Sequence, residues 1–440
     1  MSGLRAQGFP ERQVRARARN GTGEVFPPVA AYGTELFGAD VPGPGHGYGD
    51  ELDRARIVPP VFMPRRLEKL IALGREPLDD DVDLRTVIGG FRSTLPVFLS
   101  AFGSTRAGSG DLGIAASRQA GRLGVPMVIG ENMVPVHGYR KGSGRAAPAM
   151  LARIHAYLDE SPAGLGGVTV QQSTEDADSE VWNLVYSDPA TRPLLESGRL
   201  AFELKIGQGA KPGLGGMTVM ERAEGLRLAN RFSVREVFGA DSGSVLRCAS
   251  PGTFTEEIVR QQVRFMRNNF PRAKVWVKFH PGRDIATAAA TAWRAGADAV
   301  TVDGAEGGTG WAPRTFLDHV GLPLAECLRR IGRPEGCLLV TGRMWEGSRV
   351  VRGLALGATA AGLGRAALVA VDEDPEAGLV RLAESLALET RLLISSLGKY
   401  TADALTPDDL WWPAAGSPYD GPPAAPAPAG VGADEIGEGA

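Results

Sequence analysis

The chain has 440 residues, of which 43% are hydrophobic and 22% are charged, and its formal net charge is −3. This balance excludes a large basic surface for nucleic acid, and no apolar run reaches the about 18 residues that would predict a membrane span. The first residues lack the apolar core of a secretory signal. We therefore expect a cytoplasmic protein with neither a nucleic-acid nor a membrane partner.

The first 89 residues are predicted to form an arm with short helices that packs on the rest of the protein. Residues 1–60 are rich in Gly, Pro and Arg and show little periodicity, and a short helical pattern follows near Arg66 to Leu73. The basic stretch from Arg12 to Arg19 has no aromatic residues and is predicted to be solvated. At the other end, residues 413–440 are a Pro, Ala and Gly tail that we expect to be disordered.

Residues 90–412 alternate short, β-branched apolar runs with longer amphipathic ones. The predicted strands are Pro96–Ser100, Pro126–Ile129, Gly167–Gln171, Ala201–Lys205, Val275–Phe279, Ala299–Asp303, Leu338–Thr341 and Ala358–Gly362. The predicted helices are Ser109–Leu123, Ala147–Leu158, Ser179–Tyr186, Val219–Ala229, Thr255–Asn269, Ile285–Ala295, Leu322–Ile331, Glu346–Leu356 and Ala377–Ser395. Eight strand-then-helix units favour the α/β class and a (β/α)8 TIM barrel, with a doubly wound open sheet as the alternative.

Three glycine clusters follow predicted strands, at 207–216, 304–310 and 362–364. The first contains Lys211, so its backbone could approach an anion closely beside a fixed cation, although a flexible surface turn is the alternative. Glycine loops after the late strands of a barrel, leading into helix N-termini, are the usual phosphate site of this fold. The chain is therefore predicted to bind a phosphate-bearing cofactor or substrate.

Four motifs resemble the FMN-binding barrel of the large subunit of glutamate synthase. They lie at 207–216, 277–279, 306–310 and 356–370, and the resemblance extends over about residues 90–400. It implies an FMN cofactor. The residues that it assigns to FMN are Ala101, Phe102, Gly103, Ser104, Gln171, Gln172, Lys278, Gly307, Gly308, Gly342, Arg343, Gly364 and Arg365. Among these, Lys278 would face the N1–O2 edge of the flavin, and the last six would surround its phosphate.

The resemblance also implies a carboxylate or amino-acid substrate. Lys211 and Arg231 would hold the carboxylate, and Met217 stands where the family has a substrate-contacting glutamine. Glu131 is a candidate proton donor, with a loop carboxylate paired to arginine as the alternative. His280 follows Lys278 in place of a small or apolar residue and is either a general acid or base or a histidine bonded to a carbonyl.

The sequence departs from the family in two further respects. Asp372 to Pro375 stand where ordinary members carry three cysteines that ligate an iron–sulfur cluster, and Cys248, Cys327 and Cys337 are too far apart to replace them. We therefore expect neither a cluster nor another metal site. We also expect no glutaminase domain, in which case ammonia would come from solution or a separate subunit, or would play no part.

These features predict a glutamate synthase-like, FMN-dependent oxidoreductase that acts on the C–N bond of an amino or imino acid. Hydride would pass between flavin N5 and the substrate α-carbon. The alternatives are a non-redox FMN isomerase, a subunit of an N-methylglutamate synthase-like complex, and a barrel that binds phosphate without catalysis. An amidotransferase, a reductase or a second copy of the chain would be compatible partners.

Overall fold

The computed structural model describes residues 4–38, 50–102, 112–130, 147–173, 181–209, 211–212, 217–230, 232–248, 254–308 and 312–413. Its centre is a closed barrel of eight parallel strands, which confirms the predicted TIM barrel and excludes the open sheet. In barrel order the strands are β4 (Val97–Phe102), β5 (Met127–Ile129), β6 (Val168–Ser173), β7 (Leu200–Lys205), β13 (Lys274–Phe279), β14 (Ala299–Asp303), β15 (Cys337–Thr341) and β16 (Ala360–Leu363). Because the strands are parallel, all eight carboxyl ends open on one face, the mouth of the barrel.

An apolar floor fills the barrel below the mouth. Inward side chains of seven strands form one cluster with Ile88 and Phe91. These two residues belong to the hairpin β2 (Thr86–Ile88) and β3 (Phe91–Ser93), which closes the bottom. The Trp276 indole donates a hydrogen bond to the Gly89 carbonyl at 3.0 Å. Gly89 has φ +54°, and a methyl group built on it would lie 2.4 Å from the Trp276 ring, so this turn requires glycine.

The helices surround the barrel largely where the sequence predicts them. They are α4 (Leu112–Leu123), α5 (Ala147–Glu160), α6 (Val181–Ser187), α7 (Arg192–Glu196), α9 (Glu256–Asn269), α10 (Ile285–Ala295), α11 (Arg314–His319), α12 (Leu324–Ile331), α13 (Gly347–Ala355), α14 (Arg365–Glu373) and α15 (Gly378–Ser396). The helix α14, at the end of the eighth strand, was not predicted. It is the element that follows Gly364 at the mouth.

A small antiparallel sheet lies between β7 and α9. The hairpin β8 (Gly207–Gln208) and β9 (Lys211–Pro212) leads to β10 (Met217–Glu221), α8 (Arg222–Leu228), β11 (Ser233–Arg235) and β12 (Ser244–Cys248). The predicted helix Val219–Ala229 is therefore wrong in its first three residues, which belong to β10. The run 217–221 pairs along its whole length with β12, a contact across more than 20 residues that local periodicity does not reveal.

The basic stretch near the N-terminus is a helix, α1 (Glu11–Asn20), and the prediction that it is solvated is wrong. Arg15 pairs with Asp372 at 2.8 Å and with Glu373 at 2.9 Å, and Arg19 pairs with Glu373 at 2.5 Å. Arg17 is buried and pairs with Glu389. The acidic segment that stands in place of the family's cysteines is thus an ion-pair partner of α1.

The rest of the N-terminal segment consists of α2 (Glu51–Arg54), β1 (Arg56–Ile57) and α3 (Pro64–Leu73). Strand β1 pairs with β17 (Leu410–Trp411), so the N-terminal segment contacts the C-terminal end of the described chain. The predicted disordered tail lies outside the described residues, apart from position 413. Among the helices that the structure describes, none combines the length and apolarity needed to cross a membrane.

Candidate functional site

A polar layer lies above the apolar floor of the barrel. It is built from side chains near the ends of β6, β7, β13 and β14, all of them buried. Glu203 accepts hydrogen bonds from the Gln171 amide and from the Thr301 hydroxyl, the latter at 2.8 Å. Lys278 Nζ lies 3.1 Å from Asp303 Oδ2. We call these five residues, Gln171, Glu203, Lys278, Thr301 and Asp303, the lysine cluster.

The lysine cluster holds one cation and two carboxyl groups. Lys278 and Asp303 are 5% and 4% exposed, so water screens their ion pair little. Burial raises the pKa of Glu203, and the charge of Lys278 opposes that rise. With Glu203 protonated, the cluster is close to neutral. Asp303 balances the charge of Lys278. Lys278 can still donate a hydrogen bond at the mouth.

The two predicted glutamines on β6 occupy different faces of the strand. Gln171 points into the barrel, where it bonds Glu203. Because side chains alternate along a strand, its neighbour Gln172 points to the other face, where it too is buried. Of the two, Gln171 is the residue that lies in the polar layer.

Two of the glycine clusters meet above this layer. A methyl group built on Gly209 would lie 3.4 Å from the Gly307 carbonyl oxygen. One built on Gly207 would lie 2.7 Å from His280 Nδ1, closer than side chains allow. Because these glycines leave room for His280 and Gly307, the hairpin of β8 and β9 can pack over the ends of β13 and β14.

His280 is half-buried at the end of β13. Its Nδ1 is buried and has no hydrogen-bond partner within the described residues. Burial lowers the pKa of the imidazole, while Asp284 opposes this shift. The lowered pKa favours the neutral imidazole, a form that can accept a proton.

The loops after β14, β15 and β16 form the other side of the mouth. Here Arg343 pairs with Asp50 at 3.5 Å and with Asp53. Arg349 pairs with the same two carboxylates, at 2.8 Å for Asp50, and donates to the Gly342 carbonyl at 2.8 Å. We call Asp50, Asp53, Arg343, Arg349 and Arg365 the arginine cluster.

Arg365, at the first position of α14, differs from the other two arginines. Within the described part of the chain it has no carboxylate partner; it donates to the Glu306 carbonyl at 2.5 Å and lies 4.7 Å from the Phe9 ring centre. Burial, together with the charges of Arg343 and Arg349, lowers its pKa to about 10. The carboxyl group of Glu306 instead accepts from the Leu324 amide at the start of α12, at 3.0 Å.

The glycines predicted around a phosphate lie beside Arg365. A methyl group on Gly308 would meet the Arg365 side chain at 3.0 Å, whereas one on Gly364 would meet nothing within 4 Å. Gly364 precedes the first turn of α14, and Gly342 has φ +150°. A partly buried guanidinium, open backbone and a helix N-terminus together suit an anionic group.

The described residues do not include several predicted positions. Glu131, Arg231, Gly103 and Ser104 lie outside them, and for Lys211 and Met217 the structure describes only the backbone of β9 and β10. Ala101 and Phe102 end β4 and are half-buried. These positions remain predictions.

Sequence reasoning missed five charged residues of the two clusters, namely Glu203, Asp303, Asp50, Asp53 and Arg349. Glu203 and Asp303 could have been found by the alternation of their strands, which turns every second side chain inward. Asp50 and Asp53 gave no such signal, because their partners lie about 290 residues further along the chain. Arg153 of α5 was also missed. It is buried, with its guanidinium 5.4 Å from the Phe102 ring.

Comparison with known proteins supports the resemblance. Residues 163–373 match the model of the conserved region in glutamate synthase. Over 186 residues the chain is 31% identical to an archaeal-type glutamate synthase [NADPH] of Dehalococcoides mccartyi, an alignment that covers 40% of this chain and 36% of that protein. The chain thus spans little more than a third of the length of that relative.

The fold is shared with solved structures of low identity. A soluble mutant of the membrane-associated (S)-mandelate dehydrogenase from Pseudomonas putida superposes with a TM-score of 0.53 at 18% identity, covering 92% of this chain and 99% of that one. A variant of flavocytochrome b2 with sulfite bound gives 0.51 at 17% identity, covering 82% and 76%. At these low identities, the two structures show that the fold is shared and nothing about function.

Proposed function

Since residues 163–373 carry the conserved region of glutamate synthase, we propose that the chain is an FMN-dependent oxidoreductase acting on the C–N bond of an amino or imino acid. The observation that carries the proposal is Arg365. Its guanidinium is partly buried at the start of α14, lacks a carboxylate partner within the described residues, and lies beside the glycines predicted to surround a phosphate. An anion bound there would supply the missing counter-charge.

FMN, when bound, would accept or donate a hydride at N5, which is chemistry that side chains do not supply. Gly364, where a methyl group would meet nothing within 4 Å, would leave space for its phosphate, and Gly308 would let Arg365 pack against the loop after β14. Lys278 would lie at the pyrimidine edge, as the family resemblance implies. Because Asp303 balances its charge, Lys278 would act there as an oriented hydrogen-bond donor rather than as an isolated cation.

The substrate side is proposed on the remaining predicted residues. Lys211 and Arg231 would hold the substrate carboxylate, and Met217 would set the shape of the pocket next to it. The proton would be managed by Glu131 or His280. The neutral imidazole and buried Nδ1 of His280 support its candidacy as a proton acceptor.

The electron donor is proposed to be something other than a bound iron–sulfur cluster. Asp372 and Glu373, which stand where cluster cysteines would be expected, are ion-pair partners of α1. Carboxylates are poor substitutes for thiolates in such clusters. Electrons would then come from the substrate itself or from a reductase partner, and ammonia, if used, from solution or an amidotransferase subunit.

The proposal is tested by the absorbance spectrum of the purified protein, followed by anaerobic titration with candidate amino acids. We expect a flavin spectrum that is bleached by the true substrate. A protein that stays colourless after incubation with FMN would contradict the proposal. Steady turnover that consumes no electron donor would instead identify a non-redox isomerase.

A further inference from the structure

The N-terminal segment contacts the arginine cluster at two separate places. Phe9, which is 2% exposed, packs against Arg365. Asp50 and Asp53 pair with both Arg343 and Arg349. The residues of the barrel that would bind the FMN phosphate are therefore completed by a part of the chain that precedes the barrel in sequence.

The two aspartates are oriented by the helix that they begin. Asp50 caps α2 by accepting from the Asp53 amide at 3.1 Å, and Asp53 accepts from the Asp50 amide at 3.3 Å. This reciprocal capping box fixes both carboxylates at the start of the helix. Leu52 and Ala55 are fully buried, and Arg352 donates to the Ala55 carbonyl at 2.8 Å, so α2 is anchored on the barrel.

The arginines that these carboxylates hold define the loop after β15. Arg343 is the single non-glycine residue with positive φ, at +56°, within the described residues. This conformation is unfavourable for arginine and persists only where surrounding contacts impose it. Arg349 is completely buried, and its second nitrogen donates to the Gly342 carbonyl. Asp50 and Asp53 thus hold both the strained residue and the arginine that supports its neighbour.

On the basis of the proposed FMN site, we propose that Asp50 and Asp53 are positioning residues of that site. They neutralise Arg343 and Arg349 and fix the Gly342–Arg343 loop, which leaves Arg365 as the arginine that binds the phosphate. Arg343, which the family resemblance assigns to the phosphate, is thereby a structural residue in this chain. The N-terminal segment, through Phe9 and α2, is part of the cofactor site.

Two roles of the aspartates predict opposite results. If they only compete with phosphate for the arginines, removing a carboxylate frees positive charge and strengthens FMN binding. If they position the loop, removing one weakens FMN binding, because Arg349 loses a buried partner and the loop its support. Riboflavin, which lacks the phosphate, separates this local effect from a general loss of the flavin site.

The experiment measures dissociation constants of FMN and riboflavin, by quenching of flavin fluorescence, for full-length wild type, Asp53→Asn and Asp50→Asn. We expect Asp53→Asn to weaken FMN binding by about tenfold or more, with riboflavin binding changed by less than about threefold. Asp50→Asn should have the same effect in the same direction, and Asp53→Glu should recover part of the loss. Trypsin should cleave after Arg343 faster in Asp53→Asn than in wild type.

The matched control is Glu51→Gln on the same helix. Glu51 pairs with Arg329 at the surface, where both side chains are more than a third exposed, so this change should leave both dissociation constants unchanged. FMN affinity that is unchanged or increased in both aspartate variants overturns the positioning role. Wild type that binds FMN no better than riboflavin contradicts the proposed function itself. Circular dichroism confirms that each variant is folded, and Asp50→Asn decides the question if Asp53→Asn is not.

Discussion

The lysine cluster, on β6, β7, β13 and β14, and the arginine cluster, whose Arg343 and Arg365 follow β15 and β16, differ in charge balance. In the first, one cation faces two buried carboxyl groups, and one of these, Glu203, has a raised pKa. In the second, two arginines are paired with two aspartates, while Arg365 has no carboxylate partner in the described structure. Within the described residues, Asp303 balances the positive charge of the lysine cluster, whereas Arg365 leaves the arginine cluster with a positive charge that could bind an anion.

This difference matters because motif position alone treats Lys278, Arg343 and Arg365 alike. Lys278 lies near the end of β13, Arg343 and Arg365 follow β15 and β16, and the family resemblance assigns all three to FMN. Their neighbours separate them, since Lys278 and Arg343 are paired with aspartates, whereas Arg365 has no carboxylate partner among the residues that the structure describes. Burying a charge is costly unless it is paired, so the unpaired arginine is the one that needs a ligand.

The largest effect is expected from breaking the lysine cluster. Lys278→Met leaves Asp303 buried without its partner, which should lower the free energy of unfolding by about 3–5 kcal/mol. The measurement is urea unfolding of the apoprotein. In the double variant Lys278→Met/Asp303→Leu both members of this ion pair are removed, and most of that stability should return. A double variant as unstable as the single one would show that the ion pair is not the cause.

The equivalent change in the arginine cluster should have a much smaller effect on folding. Arg365→Gln leaves no carboxylate without a partner; it removes one hydrogen bond to a carbonyl and a contact with Phe9. We expect a loss of less than about 1.5 kcal/mol in the same urea experiment. A loss as large as that of Lys278→Met would mean that Arg365 is also a structural residue, and the contrast between the clusters would fail.

Most of the barrel could be predicted from the sequence, because buried parallel strands are short β-branched runs that end at glycine loops. The helix Ile285–Ala295 is found with the predicted bounds. The strand β10 was missed because Met217–Glu221 is stabilised by pairing with β12, not by its own pattern. The contact that stabilises β10 therefore joins residues that are distant in sequence.

In the functional site, too, local patterns were found from the sequence and contacts between distant residues were not. The glycine clusters and Lys278 could be placed at strand ends from local patterns. The partners of Arg343 could not, since a carboxylate from α2 reaches it across about 290 residues. Sequence reasoning thus identified Lys278, Arg343 and Arg365 at the mouth, but neither Arg349 nor which of these cations are neutralised.

The pH dependence of stability tests the state of Glu203. Because its pKa is raised by burial, the native protein keeps a proton that the unfolded chain loses above about pH 4.3. The stability of wild type should therefore fall, relative to Glu203→Gln, as the pH rises from about 5 toward 7, by about 1.4 kcal/mol for each unit of the shift. Melting temperatures of the two proteins across this range give the difference. Parallel curves would indicate a carboxylate already ionised at pH 5.

The smallest effect is expected at His280, and its sign is opposite. Burial lowers the pKa of the imidazole, so the native state disfavours the proton that the unfolded chain binds below about pH 6.5. Wild type should lose stability relative to His280→Asn as the pH falls from 7.5 to about 5.5, by less than about 1 kcal/mol. A wild type that gains stability on acidification would show that Asp284, rather than burial, dominates.

We propose that Arg365, which has no carboxylate partner in the described structure, binds the phosphate of FMN. The most direct test of this proposal compares the dissociation constants of FMN and riboflavin for wild type and Arg365→Gln by flavin fluorescence. We expect wild type to bind FMN about 100-fold more tightly than riboflavin, and Arg365→Gln to lose most of this preference while its riboflavin affinity stays the same. Equal affinity of wild type for both flavins, or an unchanged preference in Arg365→Gln, would contradict the account.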